Sequence, residues 1–397
     1  MYKRQILRVF DADTGEVVFE SPAAGEPYLK KLAVDPTGNR AAVTSEVYSA
    51  SVCELQARRT VSGVGAHHAP ISFGSFIGKS GQIVTASWDG TARIWSDGFR
   101  LLHTLGKGSQ PVTCAALTAD GRTLACGHLD GEIVLWNTAT GEELLALMSP
   151  AAPIHSLVFD ASGQSLVSAE GRDTVKLWNL LSREFKEIAV QSDKCAARIS
   201  FNDQYILVIP IRDPFLPKSE AVPNPMAVLW EPATGKSFDL PEAASVRAGN
   251  FGFMSNRCVL VCEDGSASLL DIGQDGQVTV FKRLVSKTGR FLNSAFSPDD
   301  TVLAMRHENR ISLWDPHSGT EMHRIICSRT DGFVSGSPNH PEAWTPFSLD
   351  GLRIGATGLE TMFANVAPAG VANSNSMRLL FPFEREQFSS EVALQTE

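Results

Sequence analysis

The chain reads as an all-β protein, a radial array of four-stranded antiparallel sheets with one sheet per internal repeat. Two observations carry this reading. A residue that closes an Ile/Val/Leu-rich strand, usually Trp as in Ala92-Arg93-Ile94-Trp95, recurs at Phe10, Cys53, Trp95, Trp136, Trp178, Trp230, Leu270 and Trp314. The successive intervals are 43, 42, 41, 42, 52, 40 and 44 residues, mostly within the span of about 40–45 residues that one such sheet takes. Between these anchors the hydrophobic pattern has the period of strands and never that of helices.

Each unit follows the same order. An apolar first strand, such as Val112-Thr113-Cys114-Ala115-Ala116-Leu117, leads into a polar turn. Those turns read Asp35-Pro36-Thr37-Gly38, Thr118-Ala119-Asp120-Gly121, Asp160-Ala161-Ser162-Gly163 and Ser348-Leu349-Asp350-Gly351. Their Gly and Asp residues supply or tolerate the backbone angles of a hairpin. A second strand (Thr123 to Gly127) passes through a tight turn to a third (Glu132 to Trp136), and a further hairpin follows at Asp11 to Gly15, Asn137 to Gly141, Glu231 to Gly235 and Asp315 to Gly319. First strands are expected near Tyr28, Pro70, Pro111, Ile154, Ala196, Val246, Phe291 and Thr345. Ile6 to Phe10 lacks a preceding pair and Thr345 to Thr357 lacks a third strand. Joining them makes a composite sheet from both termini, with Ile6 to Phe10 beside Arg353 to Thr357. Eight sheets are favoured, with seven the alternative.

One such sheet cannot cover both of its faces, and radial stacking does so while leaving only short edges. With these strands and anchors, the chain resembles the WD-repeat β-propeller family over nearly its whole length. At the strand-closing position Trp314-Asp315 alone keeps the literal pair that names the family; Trp95-Ser96, Trp136-Asn137, Trp178-Asn179, Trp230-Glu231 and Phe10-Asp11 stand in its place elsewhere. The resemblance implies a hydrogen-bonded tetrad of Trp, Ser or Thr, His and Asp. One unit has the full set: Trp95, Thr85, Asp89 and either His67 or His68. The next keeps Trp136 and Asp130 with Cys126 at the Thr position, and the following one keeps Ser168 and Trp178 with a turn altered around Arg172 and Asp173. The tetrad residues are read as structural, because they satisfy a buried indole N–H and a hydroxyl.

Composition bounds the function. Apolar residues are 43% and charged residues 20% of the 397, and the net charge is −9. An acidic chain lacks sequence-independent attraction for phosphate backbones, so nucleic acid is not an expected partner. No apolar run reaches the roughly 20 residues that span a bilayer, so no membrane partner is expected. The seven cysteines are odd in number and form no C-x-x-C pair. They read as buried thiols in a reducing compartment, which points to the cytoplasm. No N-x-S/T acceptor occurs.

Catalytic lookalikes fail on spacing. Gly74-Ser75-Phe76-Ile77-Gly78-Lys79-Ser80 has three residues between its glycines where a phosphate-binding loop needs four, and no helix follows. The nine histidines lack zinc-site spacing. Asp11 to Gly15 opens like a calcium loop but is a repeated hairpin. Cys258 and Cys262 lie four apart on a strand, hence on one face of a core. No catalytic residue, metal or cofactor is expected.

Recognition residues are expected on the face that, by the family resemblance, carries the second-to-third turns and the loops leading into first strands. Trp88 stands there because it precedes Asp89 in a turn where a polar residue would suffice. His67 and His68 share that face, as does the insertion Arg212 to Pro225 with Phe215 and Lys218 among its prolines. The connection Cys327 to Trp344, with Arg329 and Phe333, joins them. The domain is expected to span residues 1–358 as a monomer, followed by an extension and tail at 359–397 in which Met377 to Phe383 can dock as an extra strand. Residues 1–5 match GTG TAT AAG AGA CAG, the end of a transposase sequencing adapter, and read as a scar with more natural chain upstream. The expected function is a noncatalytic scaffold that binds a protein or peptide. The alternatives are the regulatory half of a longer multidomain enzyme, such as a kinase or nucleotide-hydrolysing switch, and a propeller enzyme with a channel-mouth site.

Overall fold

The computed structural model describes residues 4–11, 17–20, 29–54, 57–211, 226–326, 362–365 and 377–385, less 36–39, 46–47, 58, 66, 79, 107, 150–151, 172–173, 191–193, 201, 241–245, 253, 274, 287–288, 298–299 and 308–309. Among them, the strands form eight four-stranded antiparallel sheets and no helix occurs. The chain divides into two compact units, residues 1–154 with 327–397 and residues 155–326.

The first unit holds a composite sheet and sheets one to three. Sheet one runs Leu29–Val34, Arg40–Ser45, Ser49–Glu54 and Arg59–Gly65. Sheet two runs Ile71–Phe76, Ile83–Ser87, Ala92–Trp95 and Leu101–Leu105. Sheet three runs Val112–Leu117, Thr123–His128, Glu132–Asn137 and Glu143–Met148. The second unit holds sheets four to seven, whose first strands are Ile154–Phe159, Lys194–Ile199, Val246–Phe251 and Asn293–Phe296.

Burial explains why the sheets need one another. In sheet two the first strand is buried at every position, whereas the fourth strand is buried only at Leu105. Apolar clusters lie between neighbouring sheets instead of within one. Ala42, Val52, Ile83 and Trp95 join sheets one and two. Val84, Ile94, Val112 and Leu124 join sheets two and three. In the second unit, Val259, Leu269, Phe291 and Trp314 join sheets six and seven. Residues on one strand thus serve two cores, one on each face, as the period of two dictates.

Both termini meet in one sheet, but not through the expected strand. Arg4–Asp11 pairs antiparallel with Met377–Arg385, from Arg4↔Arg385 to Asp11↔Arg378, and Met362–Asn365 lies beyond it. Arg353 to Thr357 lies outside the described residues. The partner strand comes instead from the apolar stretch Met377 to Phe383, which the sequence marks as able to dock as an extra strand.

Candidate functional site

The turn between the second and third strands of sheet two is built on a buried relay. Trp95 Nε1 donates to Thr85 Oγ1 at 3.0 Å, and Thr85 Oγ1 lies 2.8 Å from His67 Nε2. His67 Nδ1 lies 2.9 Å from Asp89 Oδ2. Counting donors fixes the tautomer: the indole gives its proton to Thr85, the hydroxyl gives its own to Nε2, and Nδ1–H remains for the carboxylate. Asp89 also accepts from Thr91 N at 2.9 Å and from His68 N at 3.0 Å. Burial opposes ionisation of Asp89, yet the donors from Thr91, His68 and His67 hold its carboxyl down at about 2. Burial pushes the His67 imidazole below its ordinary value, which keeps it neutral.

Of the two candidate histidines, His67 therefore completes the tetrad. It is 5% exposed and so is unavailable as a surface contact. His68 is exposed and gives its backbone N–H to the tetrad.

The other indoles are satisfied differently. In sheet four Trp178 Nε1 donates to Ser168 Oγ at 2.8 Å, and Ser168 Oγ donates to Glu170. Lys176 Nζ then pairs with Glu170 at 2.9 Å, both side chains being buried, and sits 4.7 Å from the Phe185 ring centre. In sheet seven Trp314 Nε1 donates to Ser312 Oγ at 2.8 Å, with His307 Nε2 a further 2.8 Å away. Sequence reading missed Glu170, Lys176, Ser312 and His307. The signal was the ladder: Ser168 stands opposite Lys176, and Met305 opposite Ser312, so a hydroxyl on either strand reaches the same indole.

Sheet three corrects the expectation for Asp130. Among the described residues no hydrogen bond joins Asp130 to Trp136. Asp130 is exposed and accepts from Glu132 N at 3.2 Å within its own turn. With Cys126 opposite Val134, the hydroxyl that would link a tetrad is missing.

Trp88 is 39% exposed. Its backbone is fixed, since Trp88 N donates to Pro70 O at 2.9 Å and Asp89 N to Ser87 Oγ at 3.1 Å. Phe215, Lys218, Arg329 and Phe333 lie outside the described residues.

In the second unit, a cleft of about 300 Å³ opens between sheets six and seven, lined by Arg257, Asp271, Phe296 and His317 among others. Arg257 is fully engaged there: Nε and Nη2 donate to Asp271 at 2.6 and 2.9 Å, and Nη1 donates to Pro316 O. Its guanidinium covers the Phe281 ring at 4.0 Å. This is a brace between neighbouring sheets.

The family model for the WD domain, G-beta repeat, matches residues 59–96 and 99–137. The chain carries WD repeats, and its fold is a β-propeller. Each matched WD repeat begins on the fourth strand of one blade and ends on the third strand of the next, so sequence repeat and blade are offset by one strand. The chain is 36% identical over 110 residues to human apoptotic protease-activating factor 1, covering 25% of this chain and 9% of that protein. It is 35% identical over 102 residues to small ribosomal subunit protein RACK1y of Oryza sativa subsp. japonica, covering 25% and 30%. It is 36% identical over 84 residues to SIR4-interacting protein SIF2 of Saccharomyces cerevisiae, covering 21% and 16%. The matches thus span less than a third of these relatives' lengths. Among solved structures, a chain of the mitotic checkpoint complex aligns with a TM-score of 0.56 at 18% identity, covering 78% of this chain and 93% of that one. The computationally designed Ika8 protein aligns with a TM-score of 0.62 at 19% identity, covering 78% and 90%. No helix among the described residues is long and apolar enough to cross a membrane.

Proposed function

We propose that this propeller is a noncatalytic scaffold that binds another protein or a peptide through the face carrying its second-to-third turns. The observation that carries the reading is Trp88, 39% exposed on a turn whose backbone is pinned by the tetrad beneath it. With its backbone pinned, Trp88 has only the torsions of its side chain left to fix on binding, which favours it as an anchor. SIF2, one of the relatives, is named for interacting with a protein, SIR4. The test is Trp88→Ala in the full chain. It is expected to keep the wild-type melting temperature and to lose the proteins that wild-type chain retains from a cell lysate. An unchanged profile of retained proteins counts against this face.

A further inference from the structure

Large apolar side chains stand in the equivalent turns of three consecutive blades. Trp88 and Leu129 occupy the same turn position, each donating its backbone N–H to a proline carbonyl, of Pro70 and Pro111 respectively. Leu129 is 40% exposed, beside Trp88 at 39%. In sheet one the equivalent turn ends on Tyr48, which is 44% exposed. The three blades are neighbours: Ile71–Phe76 packs against the first two strands of sheet one, and Val112–Leu117 packs against the first two of sheet two. By contrast, the equivalent turn of sheet six, Glu263-Asp264-Gly265, has no apolar residue.

The backbone of Tyr48 adds an independent observation. Counted from the ladder pairs Thr44↔Ala50, Ala86↔Ala92 and Gly127↔Ile133, Tyr48 stands where the other two turns have Gly90 and Gly131. All three backbones are left-handed, with φ of 69°, 80° and 92°. That region favours glycine, and a bulky residue kept there points to a role outside the fold.

The same turns carry acid. Asp89 is ionised within the tetrad. Asp130 is exposed, and among the described residues no lysine or arginine lies within ion-pair distance of it. Glu132 follows it, while Arg93 on the third strand of sheet two, His67, His68 and His128 are basic groups nearby in the chain. The whole chain has a net charge of −9.

We infer that Tyr48, Trp88 and Leu129 form one recognition strip, and that its ligand is a polypeptide segment carrying apolar side chains next to a lysine or arginine. The apolar side chains cover the strip and the basic residue meets Asp130. This inference rests on the proposed recognition face and narrows it to a ligand class.

The test uses the full chain as bait for random peptides displayed on phage, followed by titration of the enriched peptides as synthetic molecules. Enriched peptides are expected to combine apolar residues with Lys or Arg. Tyr48→Gly, Leu129→Ser and Asp130→Lys are each expected to weaken binding at least ~10-fold, the last most at low salt. Circular dichroism confirms that each variant is folded. Peptides that need Trp88 but are indifferent to Tyr48, Leu129 and the charge at 130 overturn this inference and leave the face standing. Peptides indifferent to Trp88 as well overturn both. Failure to enrich any peptide above uncoated matrix also overturns the inference.

Discussion

A buried indole N–H must find an acceptor, and three blades supply one through a hydroxyl. In sheet two Thr85 passes the interaction to His67; in sheet seven Ser312, on the opposite strand, passes it to His307. Thr85→Val leaves both the Trp95 N–H and His67 Nε2 without partners, so a loss of about 1–3 kcal/mol is expected in urea denaturation. Adding Arg93→Ser places a hydroxyl where sheet seven has one and should recover part of that loss. The tetrad also sets a pH dependence. The folded values of His67 and Asp89 both lie below their ordinary 6.5 and 3.8. The unfolded chain then binds more protons, so their stabilisation is complete above about pH 6.5. It falls as His67 titrates, and falls again as Asp89 is protonated below 3.8 towards about 2. His67→Gln cannot titrate, so the gap between its urea midpoint and that of wild type should narrow from pH 7 to pH 5.

At the scale of strands and turns, sheet four replaces His and Asp with a buried ion pair, Glu170–Lys176. Removing one partner strands a charge, so Lys176→Met should cost about 3–5 kcal/mol, and Lys176→Met with Glu170→Gln markedly less. Equal losses in the single and double variants would contradict the pairing. At the first turn the sign reverses: Tyr48→Gly relieves a left-handed backbone and should raise stability by about 0.5–1 kcal/mol while weakening binding. These same elements mark what a linear reading reaches. The Trp-closed strands and Gly/Asp turns are local patterns, and the strand order followed from them. Glu170 and Ser312 were not legible because their roles depend on which residue lies across the ladder. Tyr48 was not legible because the handedness of its backbone is no property of the residue type. Asp130 is the converse case: its turn matches the tetrad pattern, and the Cys126 that leaves it without a connecting hydroxyl is already visible in the sequence.

For the chain as a whole, the two ends depend on each other. Arg4–Asp11 has a short neighbour, Val17–Glu20, on one side, and on the other an eight-residue ladder with Met377–Arg385. Nothing between residues 327 and 397 repeats the Trp-closed pattern, so the sequence marked Met377 to Phe383 as an apolar run able to dock as an extra strand but gave no sign that it pairs with Ile6 to Phe10. Ending the chain at Ser376 removes that ladder and leaves a long strand edge with unpaired N–H and C=O groups. Amides of Arg4–Asp11 are then expected to lose hydrogen-exchange protection, while those of sheets five and six, in the other compact unit, keep theirs. Protection that persists in Arg4–Asp11 after truncation would show that the ladder contributes little. Site-resolved thiol labelling extends the test to the cores between blades. Cys53, Cys114, Cys126, Cys195, Cys258 and Cys262 are all buried, and burial lifts the thiols of Cys53 and Cys258 to about 11 and about 12. Iodoacetamide at pH 8 should therefore spare these six in the folded chain and modify them in urea. In the truncated chain, labelling confined to Cys53, in the blade next along the chain from the composite one, would mean that loss of closure spreads locally. Labelling of all six would mean that the blades unfold as one.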